Sequence, residues 1–124
     1  MGRFLSALGV TEWVNKETLI DSVTAVSGSG PAYLFHFIEC LAAAGETAGL
    51  PAETAKLLAM QTVHGAASLA AESRADPAEL RRQVTSPNGT TAAALSVLMG
   101  DDRLKTLVTE AVEAARKRSV ELGQ

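Results

Sequence analysis

A single cysteine, Cys40, is the whole thiol content of this 124-residue chain. It has no partner for an internal disulfide and sits in an apolar stretch. That excludes a disulfide-stapled secreted fold and suits a reducing cytoplasm. Long apolar runs are lacking too. The longest, from Ala32 to Ala44, is interrupted by His36 and Glu39 and is too short to span a bilayer. No signal-peptide pattern is visible. The start Met1-Gly2-Arg3-Phe4-Leu5-Ser6 formally fits a myristoylation pattern, but so short a match recurs by accident and carries no weight. Lys and Arg never cluster, and the formal charge is -3. Neither nucleic acid nor an anionic membrane surface is therefore an expected partner.

A dinucleotide fingerprint is missing as well. Gly28-x-Gly30 follows a Val-rich stretch, but Tyr33 occupies the third glycine position, and no strand-borne acid follows about twenty residues later. A metal centre is not expected either. His36 and Cys40 share a helical face at ligand-like spacing, yet no third or fourth ligand accompanies them, so packing in a core or an interface is the better account. His64 lies beside small residues with no acid or nucleophile near it in sequence, which reads as a structural or exposed position.

What is present is apolar helix. At 47% hydrophobic the chain is long enough for one compact domain with its own core. Phe4 to Leu8 reads as a helix end stopped by Gly9, followed by an extended Thr11-Glu12-Trp13-Val14 piece. From Lys16 to Val26, Leu19, Ile20, Val23 and Val26 suit one helical face, although Val23-Thr24-Ala25-Val26 is also locally β-prone. Pro31 can take the first helical position of a segment reaching about Ala48, apolar on nearly every side, that must be buried centrally or against another subunit. Gly49-Leu50-Pro51 ends it and opens a long helix to about Glu72. Asp76-Pro77-Ala78-Glu79 reads as an N-cap, a first-turn proline and a capping carboxylate for a short helix to about Val84. A helix from Thr90 to Met99 closes at Gly100. Asp101 or Asp102 then caps a last helix bearing Leu104, Leu107, Val108, Ala111, Val112, Ala115 and Leu122, with Lys117 and Arg118 suiting its dipole. The sum is an all-α bundle of about five or six helices, without solenoid repeats.

Two segments stand out. Gly28-Ser29-Gly30-Pro31-Ala32-Tyr33 and Ser86-Pro87-Asn88-Gly89-Thr90-Thr91 each place small, polar or conformationally permissive residues before an Ala-rich helix, where backbone N-H groups can meet an anion. Each also has a plainer reading. The first would serve as a tight turn and helix start; the second as a turn between helices, with Asn88-Gly89 supplying left-handed backbone and Thr90 a cap.

The two motifs, in this order and at this spacing, closely resemble the C-terminal domain of pyrroline-5-carboxylate reductase, from about Glu17 to Leu122. The resemblance implies an interlocked homodimer like the C-terminal domains of the 6-phosphogluconate dehydrogenase-like group, with higher oligomers built from dimers. Residues 1–15 then correspond to a junction from an N-terminal dinucleotide-binding domain, and 16–124 to the helical dimerisation and substrate domain. The implied activity is reduction of 1-pyrroline-5-carboxylate to L-proline with NADPH or NADH, bound mainly by that N-terminal domain and without a metal.

By the same resemblance, Ser86, Gly89, Thr90 and Thr91 hold the substrate carboxylate, and the Thr91 hydroxyl, the one catalytic assignment, also lies near the ring nitrogen. Ser29, Gly30 and Pro31 shape the cleft wall near the nicotinamide. Many relatives have Gly-Gly where this chain has Asn88-Gly89; Asn tolerates left-handed backbone, so the turn is expected to survive. With no phosphate loop of its own, the chain alone is expected to show negligible reductase activity. The runner-up is a helical dimerisation scaffold that binds no metabolite. A helical domain from a hydroxy-acid dehydrogenase is disfavoured because the catalytic lysine such proteins carry is missing.

Overall fold

The computed structural model describes residues 18–123. The readings for Phe4–Leu8, Thr11–Val14 and the 1–15 junction fall outside them. Six α-helices occur among the described residues, with no strand. They are α1 (Thr18–Val23), α2 (Gly30–Thr47), α3 (Ala52–Glu72), α4 (Pro77–Gln83), α5 (Thr90–Met99) and α6 (Arg103–Gly123). The all-α expectation holds, and the helix number among the described residues is about as expected.

The helix expected over Lys16–Val26 changes character part-way. After Val23 the backbone widens into a π-helical turn, Thr24–Gly28, closed by the Ser29 amide bonding to the Thr24 carbonyl at 2.9 Å. The Ser27 hydroxyl donates to the Val23 carbonyl at 2.8 Å. Single π turns of this kind interrupt helices where a side chain must be re-aimed, often beside functional segments. Here the turn leads directly into Ser29-Gly30-Pro31.

The chain divides into two compact units, residues 18–31 with 106–123, and residues 32–105. In the first, Ala25 is fully buried, and Ser119 on α6 is tied to Asp21 on α1. In the second, α2 ends in a Schellman motif: the Leu50 amide bonds to Gly45 O at 3.0 Å and the Gly49 amide to Glu46 O at 2.9 Å. Gly49 takes φ 109°, a region that side chains with a Cβ avoid. This reversal lays α3 against α2 around Gly45, Ala55 and Ala59, and a Cβ built on Gly45 would lie 3.3 Å from that of Ala55. Ala66, Leu69 and Ala70 of α3 then line an apolar groove with Pro77 and Leu80 of α4 and with Val84 just past its end.

Several expected caps are not made. Asp76 sits at the N-cap of α4, ahead of Pro77, but makes no side-chain capping bond. Glu79 turns away from the helix start to pair with Arg82 at 2.9 Å. Guanidinium three residues on offers a charge-assisted bond that a neutral amide does not match. The N-cap of α5 is Gly89, and Thr90 is already helical. Asp101 and Asp102 adopt left-handed backbone, φ 55° and 52°, within a 3₁₀ turn at Gly100–Asp102.

Candidate functional site

The segment 84–93 is assembled by local bonds. The Thr85 hydroxyl donates to Arg81 O at 2.6 Å, and the Val84 and Thr85 amides reach Arg81 O and Arg82 O, which ends α4 tightly. The chain then reverses through Ser86-Pro87-Asn88-Gly89, closed by the Gly89 amide on Ser86 O at 3.1 Å. Proline second and Asn88 third, with φ 61°, is the arrangement of a type II turn. Asn88 thus takes the left-handed conformation expected of it. Position 89 is restricted for another reason: a Cβ there would meet the Ser86 carbonyl oxygen at 3.2 Å.

Helix α5 starts at this turn. Its first bond back runs from the Ala93 amide to Gly89 O, 3.1 Å. The amides of Thr90, Thr91 and Ala92 precede any intrahelical acceptor, as at every helix start. No side chain caps them, although Ser86 and Thr90 carry hydroxyls able to do so. Gly89 and Thr91 are half-buried, while Ser86, Asn88 and Thr90 are exposed. The structure therefore brings Ser86, Gly89, Thr90 and Thr91 together at one uncapped helix start, with hydroxyls and N-H groups and no carboxylate side chain among them. Such an end attracts an anion through its donors and the helix dipole.

Ser29, Gly30 and Pro31 belong to the other unit, at the start of α2. A Cβ built on Gly30 meets nothing within 4 Å. Among the described residues nothing requires a glycine there.

The His36–Cys40 pair lies on the surface of α2. His36 Nδ1 faces Glu39 Oε1 at 3.1 Å, and Cys40 Sγ lies 3.5 Å from His36 Nε2. Both residues are exposed in the single chain, so core packing is excluded for them. Among the described residues no group of three or more His, Cys, Asp or Glu could hold a metal ion. His64 is exposed. Thr85, which anchors the turn from its N-terminal side, was not singled out from the sequence. Its signal was a Thr four residues after a helical carbonyl, immediately before a Ser-Pro turn.

Comparison with known proteins decides the family. The pyrroline-5-carboxylate reductase dimerisation family matches residues 17–122. The chain belongs to that family. It is 50% identical to pyrroline-5-carboxylate reductase from Pseudomonas aeruginosa over 123 residues, covering 99% of this chain and 45% of that protein. It is 51% identical to the Synechocystis enzyme over 110 residues, covering 87% of this chain and 40% of that one. Among solved structures, pyrroline-5-carboxylate reductase from Coxiella burnetii superposes with a TM-score of 0.85 at 46% identity, covering 94% of this chain and 43% of that one. The Plasmodium falciparum enzyme with NADP bound gives 0.80 at 39% identity, covering 88% and 41%. The chain thus spans less than half the length of the reductases it matches.

Proposed function

We propose that this chain is the substrate-gripping and dimerising part of a cytoplasmic pyrroline-5-carboxylate reductase, which reduces 1-pyrroline-5-carboxylate to L-proline at the expense of NADPH or NADH. The observation that carries the reading is the uncapped start of α5 behind a closed Ser-Pro-Asn-Gly turn. In this reading the ring carboxylate accepts from the main-chain N-H groups of Thr90 and Thr91 and from the Ser86 and Thr90 hydroxyls, while Gly89, without a Cβ, lets it approach the backbone. The Thr91 hydroxyl meets the ring nitrogen, which gains a proton as the imine carbon gains hydride. Ser29, Gly30 and Pro31 form the wall against which the two rings lie. Fixing the ring at both ends supplies orientation, which is what hydride transfer demands of the protein.

The described residues do not themselves fit a dinucleotide. Gly28 ends a π-helical turn and Gly30 opens α2, so no strand leads into them, and Tyr33 stands where the third glycine would be. The chain is proposed to act as a homodimer, interlocked as the resemblance implies. Support comes from its family's dimerisation description and from the many large apolar side chains, Phe35 and Leu107 among them, that it leaves in solvent. Among the described residues no helix is long and apolar enough to cross a membrane.

Replacing Thr91 by Ala in the full-length reductase tests the site. Loss of a hydrogen bond to a charged or reacting group should lower kcat/KM by about 10- to 100-fold, the equivalent of roughly 1.5–3 kcal/mol. Unchanged kinetics would favour a scaffold without a ligand site. The 124-residue chain alone should not oxidise NADPH measurably in the presence of pyrroline-5-carboxylate.

A further inference from the structure

The turn that carries Ser86 is closed by the Gly89 amide on Ser86 O, and its far end runs on into α5. Its near end is set by the way α4 stops. In an α-helix Arg81 O would accept from the amide four residues on, that of Thr85. Here the last amides bond three residues back instead: Val84 N-H donates to Arg81 O at 3.3 Å, and Thr85 N-H to Arg82 O at 3.1 Å. The winding tightens to 3₁₀ spacing, as helix ends commonly do. The place on Arg81 O that the Thr85 amide gives up is taken by the side chain of the same residue, whose hydroxyl donates there at 2.6 Å.

That hydroxyl is the firmer hold on Arg81 O. The Val84 contact, at 3.3 Å, lies past the roughly 2.7–3.2 Å of an ordinary N-H···O bond, whereas the hydroxyl contact is short. It also closes a ring from the Arg81 carbonyl through the backbone of 82–84 to the Thr85 side chain. Rotation of the chain as it leaves Thr85 for Ser86 is thereby restrained. Packing restrains it little, since Val84 is 66% exposed and Ser86, Pro87 and Asn88 are exposed, while Thr85 itself is half-buried. The single hydroxyl hydrogen is committed to Arg81 O, so Thr85 is not one more donor to an anion.

We infer that Thr85 is a positioning residue for the substrate carboxylate: its bond to Arg81 O aims Ser86, and through the closed turn the donors at the start of α5. This rests on the reading of Ser86, Gly89, Thr90 and Thr91 as the carboxylate grip and adds a residue that acts through them. A carboxylate held away from the carbon that receives hydride is gripped alike in the ground and transition states. Loosening that grip therefore raises KM and leaves kcat in place.

The test is kinetic, in the full-length reductase. Thr85→Val keeps size and β-branching and removes the donor. KM for the cyclic imine should rise about 5- to 20-fold, with kcat and KM for NADPH within about twofold of the parent. Thr85→Ser restores the donor and should bring KM back to within about threefold of the parent. Thr47 makes the same kind of bond at the end of α2, to Ala43 O at 3.2 Å, so Thr47→Val controls for the loss of such a bond away from the turn. It should leave all three kinetic constants unchanged. Should Thr85→Val fail to fold, Thr85→Ala with parental circular dichroism takes its place under the same expectations. An unchanged imine KM, a loss spread equally over kcat and both KM values, or a Thr85→Ser enzyme no better than Thr85→Val would each overturn the inference. If Thr91→Ala is impaired while Thr85→Val is silent, only the positioning role falls. If both are silent, the carboxylate reading falls with it.

Discussion

Ser119 donates its hydroxyl hydrogen to Asp21 Oδ1 at 2.7 Å, joining residues 98 apart in sequence. The bond fastens the last helix to the first described one, next to the π-helical turn that leads into Ser29. It is part-buried and one partner is a carboxylate, so it is stronger than an exposed neutral bond. Ser119→Ala should cost about 1–2 kcal/mol, read as a lower urea midpoint at fixed protein concentration. Ser119→Thr keeps the hydroxyl and should restore most of it.

Position 89 separates turn geometry from turn chemistry. Gly89→Ala places a methyl 3.2 Å from Ser86 O, so the turn must open and the donors at the start of α5 must shift. In the full-length enzyme KM for the cyclic imine should rise about tenfold or more, since misplacement by a fraction of an ångström disturbs convergent donors. Asn88→Gly should be nearly silent, and Asn88→Val should resemble Gly89→Ala, because β-branched residues resist the left-handed φ of 61°.

Gly45 in α2 and Gly49 just past its end should fail for different reasons. Gly49→Ala is strained by its φ of 109° and should destabilise by about 1–2 kcal/mol whatever the space around it. Gly45→Val adds bulk against Ala55 and Leu50, both about 3.3 Å from a Cβ there, and should cost about 1–3 kcal/mol. Thermal unfolding at matched concentration measures both. A partner substitution at Leu50 to a smaller residue should relieve only Gly45→Val.

Acid should weaken α6 through Glu113. Its hydrogen bond from Arg116, Nε to Oε2 at 2.9 Å, holds the carboxyl below its ordinary value of 4.5; desolvation opposes this, and the weaker Coulomb attraction of Arg116 and Lys117 adds to it. The folded value is depressed, so the contribution is complete above the unfolded value and is lost as pH falls through the folded one. The effect is small because the pair is solvated. A carboxyl titration by NMR should find Glu113 below 4.5 in the parent chain and higher in Arg116→Met.

Helix boundaries were legible because their causes are local. Pro31, Gly49-Leu50-Pro51, Asp76-Pro77 and Gly100 punctuate the chain within a few residues of where the helices begin and end. The Ser-Pro-Asn-Gly turn was legible for the same reason, since proline and a residue tolerant of positive φ define it without help from the rest of the molecule. Caps were misread because they are contests. Glu79 had a choice between a backbone amide and Arg82, and only the folded side-chain geometry shows that the guanidinium won.

By itself, then, the amino-acid order determined the all-α class, the family and the two turns where backbone donors gather, all of which follow from residue type and spacing over a few positions. Tertiary structure alone decided that Thr24–Gly28 widens into a π turn, that Asp21 meets Ser119, and that the start of α5 is left uncapped. It also leaves many large apolar side chains among the described residues exposed. Periodicity marks a face as needing burial, but what buries it depends on long-range packing.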